Sequence, residues 1–90
     1  MDEPDDAVHD VPIEAELDLH PFAPRDTTSV LEAYLEAAQA RGFVEVRIVH
    51  GRGRGVQRAL IHRALAAHPL VKRFADDPRS HLGATLVRLT

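Results

Sequence analysis

At 90 residues the chain has room for one small domain, and the absence of cysteine excludes disulfides and thiolate metal sites. No apolar run approaches the length of about 18 residues needed to span a bilayer. No apolar segment follows a basic start, so we expect neither a secretory signal nor a membrane partner. A cysteine-free chain fits a cytoplasmic protein, and many Ala, Leu and Arg residues beside a single Lys are typical of GC-rich bacterial genes.

The charge is unevenly divided along the chain. Residues 1–18 hold eight of the 14 acidic residues and no Lys or Arg, whereas residues 19–90 carry all 11 basic residues. This asymmetry suggests a polyanion partner, although an acidic solubilising leader on an ordinary domain explains it as well. Residues 1–13 combine acids and two prolines with few apolar side chains. We therefore predict a disordered acidic tail over residues 1–13 and one domain over residues 14–90.

The rest of the chain alternates between strand and helix patterns. Alternating apolar residues predict strands over residues 14–20 and 43–49. Apolar residues at helical spacing predict one helix that starts near Asp26 and ends at Gly42, and a second over residues 56–67. Residues 70–76 and 84–89 then predict two further strands, joined by a turn.

This order of elements, βαβαββ, predicts an α/β fold. We expect a two-layer sandwich in which a mixed four-stranded sheet packs against two helices. The first two strands should be parallel because a helix connects them, and the last two should form a hairpin.

The residues that could take part in binding or catalysis follow the ends of two strands. Asp18 and His20 follow the first strand, and residues 50–55, here called the glycine loop, follow the second. Because the carboxyl ends of parallel strands meet at one edge of a sheet, we expect these residues to converge there. The members of the glycine loop are His50, Gly51, Arg52, Gly53, Arg54 and Gly55.

The glycine loop has the features of a phosphate-binding turn. Glycines that open a helix allow positive φ and expose N–H groups at the positive end of the helix dipole. Guanidinium groups that can hold a phosphate are supplied by Arg52, Arg54, Arg58 and, more distantly, Arg25. The loop lacks the Lys-Ser or Lys-Thr of a nucleotide-binding P-loop and the glycine spacing of a dinucleotide motif. We therefore expect phosphate contact and no small-molecule cofactor, although a solvated turn with unusual backbone angles stays an alternative.

The histidines and Asp18 leave several roles open. His20 and His50 could serve as general acid and base or could donate to phosphate. Asp18 could orient His20, activate a water, hold a divalent ion such as Mg²⁺ or Mn²⁺, or cap the following turn. No ligand spacing predicts a zinc site. We assign no function to the other histidines, which are His9, His62, His68 and His81.

Two motifs make the chain resemble the small MutS-related (Smr) domain family. Leu17-Asp18-Leu19-His20 matches the family's LDLH-type motif, and His50-Gly51-Arg52-Gly53 matches its HGxG-type motif. Residues 68–74 and 83–89 also resemble the family, so the likeness covers residues 14–90. The chain departs from the family at Pro21, where glycine is usual, and in residues 78–83, which are often richer in glycine.

The resemblance implies a βαβαββ sandwich similar to the C-terminal domain of a bacterial translation initiation factor. It also implies nucleic-acid binding and, in many members, endonuclease activity on DNA or RNA. Asp18 and His20 fall on the motif tied to catalysis, and His50, Gly51 and Gly53 fall on the motif tied to nucleic-acid contact and activity. Arg52 takes the place of a basic residue common there.

These observations lead to a predicted function and two alternatives. We predict a nucleic-acid-binding Smr protein with endonuclease activity, in which Asp18, His20 and His50 carry out the hydrolysis. The first alternative is a non-catalytic module for DNA, RNA or a ribosome, and a repair protein stays open as a partner. The second is a protein-interaction domain that acts through its acidic tail.

Overall fold

Four β-strands and two α-helices follow one another in the order βαβαββ in the part of the chain that the structure describes. The structure is a computed structural model that describes residues 14–53 and 55–90. The predicted tail, residues 1–13, and Arg54 lie outside the described residues, so the disorder of the tail stays a prediction. The elements are β1 (Glu16–Asp18), a 3₁₀ turn (Pro24–Asp26), α1 (Thr27–Ala40), β2 (Glu45–Val49), α2 (Val56–Ala67), β3 (Val71–Asp76) and β4 (Ala84–Leu89).

The strands form one mixed sheet in the order β1-β2-β4-β3. β1 and β2 are parallel, and β4 is antiparallel to both of its neighbours. The predicted fold class is therefore confirmed, together with the parallel first pair and the β3–β4 hairpin. Asp18 lies in register with Val49, so β1 and β2 end at the same edge of the sheet.

The core lies between the sheet and the two helices. Residues at helical spacing in α1 and α2 are buried against alternate residues of the strands, as the two periodicities require. This burial is the main favourable contribution to folding. The residues with at most 1% exposure include Leu19, Leu31, Leu35, Val46, Ile48, Ile61, Leu65 and Val87.

The helices are short and end where the sequence predicts. α1 is followed by Gly42, whose φ of +85° and N–H bond to the carbonyl of Gln39 end the helix. α1 has 14 residues and α2 has 12. Over residues 14–53 and 55–90, no helix combines the length and the apolar character needed to cross a membrane.

Three strands begin later than predicted, β3 by one residue at Val71, and β1 also ends earlier. β1 is shorter than the predicted residues 14–20, because the Asp18 carboxylate accepts the N–H of His20 at 2.9 Å and turns the chain. β2 begins at Glu45, two residues later than predicted, and Val44 before it is 57% exposed.

Candidate functional site

The ends of β1 and β2 border a cavity of about 230 Å³ at one edge of the sheet. The segments that follow the two strands lie side by side because the strands end in register. The structure thus brings His20 together with most of the glycine loop and with the start of α2. The lining residues are His20, His50, Gly51, Arg52, Gly53, Gly55, Val56 and Gln57.

The glycine loop depends on left-handed backbone at Gly51 and Gly55, whose φ angles are +84° and +82°. Most residues with a side chain would cost roughly 1–2 kcal/mol in this conformation. The N–H groups of His50 and Gly51 both donate to the carbonyl of Gly83, at 3.0 and 2.9 Å. These bonds fasten the loop to the chain that leads into β4. Gly55 is the N-cap of α2, and it has no side chain that could cover the first-turn N–H groups of Val56 and Gln57.

The cavity has positive character. The N-terminus of α2 contributes the positive end of its dipole, and the side chains of His20 and Arg52 are exposed beside it. Within the described part of the chain, the lining includes no carboxylate. Such a surface favours an anion with several oxygen acceptors, which is the chemistry of a phosphate.

The other three predicted arginines differ in their placement. Arg25 is exposed in the 3₁₀ turn between β1 and α1 and is not part of the described cavity lining. Arg58 makes a bidentate pair with Asp76, with Nε–Oδ1 and Nη2–Oδ2 distances of 2.7 Å. This guanidinium lowers the pKa of the Asp76 carboxyl below its ordinary value. Arg54 lies outside the described residues. Phosphate contact by Arg25, Arg54 and Arg58 stays a prediction.

His50 lies beneath the glycine loop and is only 4% exposed. Its Nδ1 is 3.0 Å from the carbonyl oxygen of Gly51, and its Nε2 is 2.9 Å from the hydroxyl of Thr85. Because a carbonyl oxygen only accepts, Nδ1 must carry the proton, and Nε2 of the neutral ring accepts from Thr85. Both nitrogens are therefore used inside the fold. This geometry does not support the predicted proton transfer by His50 and instead makes it a support for the loop.

Thr85 extends these contacts to His62, which the sequence left without a function. The Nε2 atom of His62 lies 2.8 Å from the Thr85 hydroxyl and 3.6 Å from Oδ1 of Asp76. Since Thr85 gives its one hydroxyl proton to His50, His62 donates its Nε2 proton to Thr85. A polar chain, called the buried polar chain because Thr85 and His50 at its centre are buried, thus runs from His62 through Thr85 and His50 to Gly51. The Asp76 carboxylate lies 3.6 Å from its His62 end. The four-residue spacing of Arg58 and His62 on α2 indicated a shared helix face, but no local pattern pointed to Thr85.

Asp18 and the remaining described histidines are exposed or make local contacts. Asp18 is exposed, and its Oδ1 holds the turn that carries His20. His68 accepts the N–H of Leu70 at its Nδ1 atom, which is a structural contact. His81 is exposed in the loop between β3 and β4, and His9 lies outside the described residues.

Asp18 and His20 are the neighbouring donors that a divalent ion could use. Across residues 14–53 and 55–90, no group of three or more His, Cys, Asp or Glu side chains is placed to hold a metal ion. An Mg²⁺ or Mn²⁺ ion bound to Asp18 would take its other oxygen ligands from water and phosphate. The divalent ion therefore stays an open prediction.

The buried polar chain should make stability depend on pH. Burial lowers the pKa of His62 below its ordinary value of 6.5, and the nearby Arg58 lowers it further. His62 therefore binds a proton more readily in the unfolded chain. Its contribution to the free energy of unfolding is fully present above its unfolded pKa and is lost as the pH falls below that value. We expect the free energy of unfolding to decrease between about pH 7.5 and about pH 5. Urea denaturation of a His62→Gln variant should show a shallower decrease, and an equal slope would contradict the assignment.

Comparison with known proteins identifies the family. The family model of the Smr domain matches residues 17–90. The chain belongs to the Smr domain family. Its relatives include the protein "Endonuclease MutS2" of Pelotomaculum thermopropionicum, which is 38% identical over 79 residues, 86% of this chain and 10% of that protein. The homologue of the same name in Thermomicrobium roseum has the same identity and coverage. This Smr domain thus spans about a tenth of the length of the curated relatives it matches.

Two solved structures share the fold of this Smr domain. The crystal structure of the Smr domain of Thermus thermophilus MutS2 superposes with a TM-score of 0.79 at 34% identity, covering 83% of this chain and 96% of that one. YdaL, a stand-alone small MutS-related protein from Escherichia coli, gives a TM-score of 0.78 at 26% identity, covering 87% and 66%. The resemblance predicted from the two motifs is confirmed.

Proposed function

We propose that this Smr domain binds nucleic acid at the cavity between β1 and the glycine loop and hydrolyses a phosphodiester bond there. The observation that carries the proposal is the convergence of His20, Arg52 and the N-terminus of α2 on one small cavity. A phosphate in this place would meet backbone N–H donors, a guanidinium and an imidazole. The endonuclease names of the relatives support the same reaction class. As the cysteine-free sequence predicts, we propose the cytoplasm as its location.

In the proposed reaction the glycine loop binds the phosphate and the turn after β1 supplies the general base. The glycine loop and Arg52 would hold the phosphate and stabilise the charge that develops on its oxygens. A water oxygen would form the new bond to phosphorus, and its proton would pass to Asp18 or His20 acting as general base. The ester bond to the leaving oxygen would break, and solvent would supply that oxygen with a proton. His50 transfers no proton in this scheme because both of its nitrogens are bonded inside the fold.

A second candidate function is a binding module without catalysis, for DNA, RNA or a ribosome. The observation that favours it is the internal use of two predicted catalytic groups. Oδ1 of Asp18 holds a backbone turn, and His50 supports the glycine loop. A ribosome or a repair protein as partner fits either function and stays a proposal.

Cleavage assays separate the two candidates. We expect the full chain to nick supercoiled plasmid or to cut a structured RNA, and an Asp18→Ala/His20→Ala variant to bind more weakly and to lose the cutting. A parallel reaction with a chelator shows whether a divalent ion is needed. The control is Glu36→Ala, which removes an exposed carboxylate from α1. If the wild type binds without cutting, the binding module is favoured. If it neither binds nor cuts, the endonuclease and the binding module are both contradicted.

A further inference from the structure

A second cavity, of about 450 Å³, also borders the glycine loop. It shares Arg52, Gly53 and Gly55 with the first cavity, so the loop forms a wall common to both. The rest of its lining comes from Arg58 on α2 and from residues 81 and 82 of the loop between β3 and β4. Residues 80–83 are called the Leu82 corner below. A ligand that extends from the first cavity past these shared residues would also reach the Leu82 corner.

The Leu82 corner has an unusual backbone. His81 and Leu82 both adopt left-handed conformations, with φ angles of +53° and +69°. This region is uncommon for residues other than glycine, and it is least expected for a bulky side chain. The neighbouring chain holds the corner in place. The N–H of Gly83 donates to the carbonyl of Ser80 at 3.0 Å, and the hydroxyl of Ser80 donates to the carbonyl of Asp77 at 2.7 Å.

Core packing does not explain this conformation, because Leu82 is 52% exposed. The fold instead holds an apolar side chain in solvent, beside the exposed guanidinium of Arg52. Strained residues that a fold keeps in place often belong to a ligand site. A ligand suited to this corner would have an apolar face next to a negative charge.

Arg58 lines the cavity with a side chain held in one orientation. Its Nε and Nη2 atoms are bonded in the guanidinium plane to the two oxygens of Asp76, which fixes the orientation of that plane. Guanidinium planes stack on nucleic-acid bases. The cavity therefore combines a fixed plane, an imidazole from His81 and an apolar contact from Leu82.

We propose that the second cavity takes one unpaired base from the strand whose phosphate lies on the glycine loop. This inference rests on the proposed nucleic-acid binding, and it specifies the substrate as a strand with unpaired nucleotides next to the bound phosphate. A base in a duplex is stacked between its neighbours and would have to leave the stack to enter. Because contact with the face of a base is tolerant of sequence, we expect little preference among the four bases.

The test compares two labelled single strands by fluorescence anisotropy with the full 90-residue chain. One strand is oligothymidylate, and the other has the same number of phosphates but only abasic sites. Asparagine tolerates the left-handed region, so Leu82→Asn removes the apolar side chain while suiting the backbone. We expect this variant to weaken binding of oligothymidylate about fivefold, at the low end for base-stacking contacts, and to leave binding of the abasic strand unchanged. Arg52→Ala should weaken binding of both strands.

The controls keep this inference separate from the proposed function. Val44→Thr alters another exposed apolar residue, immediately before β2, and should change neither affinity. Leu82→Gly is a second variant that removes the apolar side chain and suits the backbone. Circular dichroism establishes that each variant is folded. Equal losses on both strands, or no loss on oligothymidylate, would overturn the base site while phosphate binding stands. Failure of the wild-type chain to bind either strand would overturn the base site, and the cleavage and binding assays on plasmid and structured RNA would still decide the proposed function.

Discussion

Replacing Thr85 with valine is expected to lower the free energy of unfolding by about 1–3 kcal/mol, the usual range when a buried polar group loses its partner. Valine has nearly the shape of threonine but lacks the hydroxyl. Thr85 is fully buried, and its hydroxyl bonds both His50 and His62. Without it, the buried Nε2 of His50 has no donor, and water cannot readily replace one. His62 loses less because Asp76 lies 3.6 Å away.

Thr85→Ser is the matched control for this prediction. Serine keeps the hydroxyl and loses one methyl group, which should cost about 1 kcal/mol. Urea denaturation of both variants at neutral pH measures the difference. Amide exchange at Gly51 gives a second readout, because the N–H of Gly51 should exchange faster once His50 no longer supports the loop. If the valine variant is as stable as the wild type, the hydroxyl makes no net contribution and the buried polar chain does not hold His50.

The elements of the fold were predictable because their signals are local. The predicted bounds of α2 and β4 match the observed bounds. Gly55 immediately precedes α2, and His68-Pro69 immediately follows it. Periodicity and helix-ending residues are both properties of neighbours in sequence. The parallel pairing of β1 and β2 then followed from the intervening helix, and so did the meeting of their ends.

The partners of the polar side chains were not predictable in the same way. His50 bonds to a threonine 35 residues later in the chain, and Arg58 bonds to an aspartate 18 residues later. Periodicity indicates which face of an element is buried, but it does not indicate which polar groups meet across the packed layers. A histidine at a strand end therefore looks the same in sequence whether it is exposed or buried.

This difference divides the predicted site into two groups. His20 and Arg52 are exposed at the cavity, as a group that contacts a ligand must be. His50 is buried and bonded inside the fold, whereas Arg58 lines the second cavity with its Nε and Nη2 atoms bonded to Asp76. The predicted convergence at one edge of the sheet is observed, and burial separates the exposed groups from His50, which supports the loop.

Replacing Asp18 with asparagine is expected to slow phosphodiester cleavage by about 100-fold, the lower range for loss of a general base. The affinity for nucleic acid should stay close to that of the wild type. The Oδ1 atom of asparagine can still accept the N–H of His20, so the turn is retained. The amide cannot take a proton from the attacking water, however. Single-turnover cleavage and anisotropy on the same substrate measure the two effects separately.

The Asp18→Ala variant completes this series because it removes both the charge and the acceptor that holds the turn. It should slow cleavage at least as much as Asp18→Asn, and the freed turn should also weaken binding at His20. Glu36→Gln removes an exposed charge from α1 and should change neither quantity. If Asp18→Asn cuts at the wild-type rate while Asp18→Ala does not, Asp18 only positions His20. Proton transfer would then rest on His20 alone, and the LDLH motif would contribute one proton-transfer group and one structural turn.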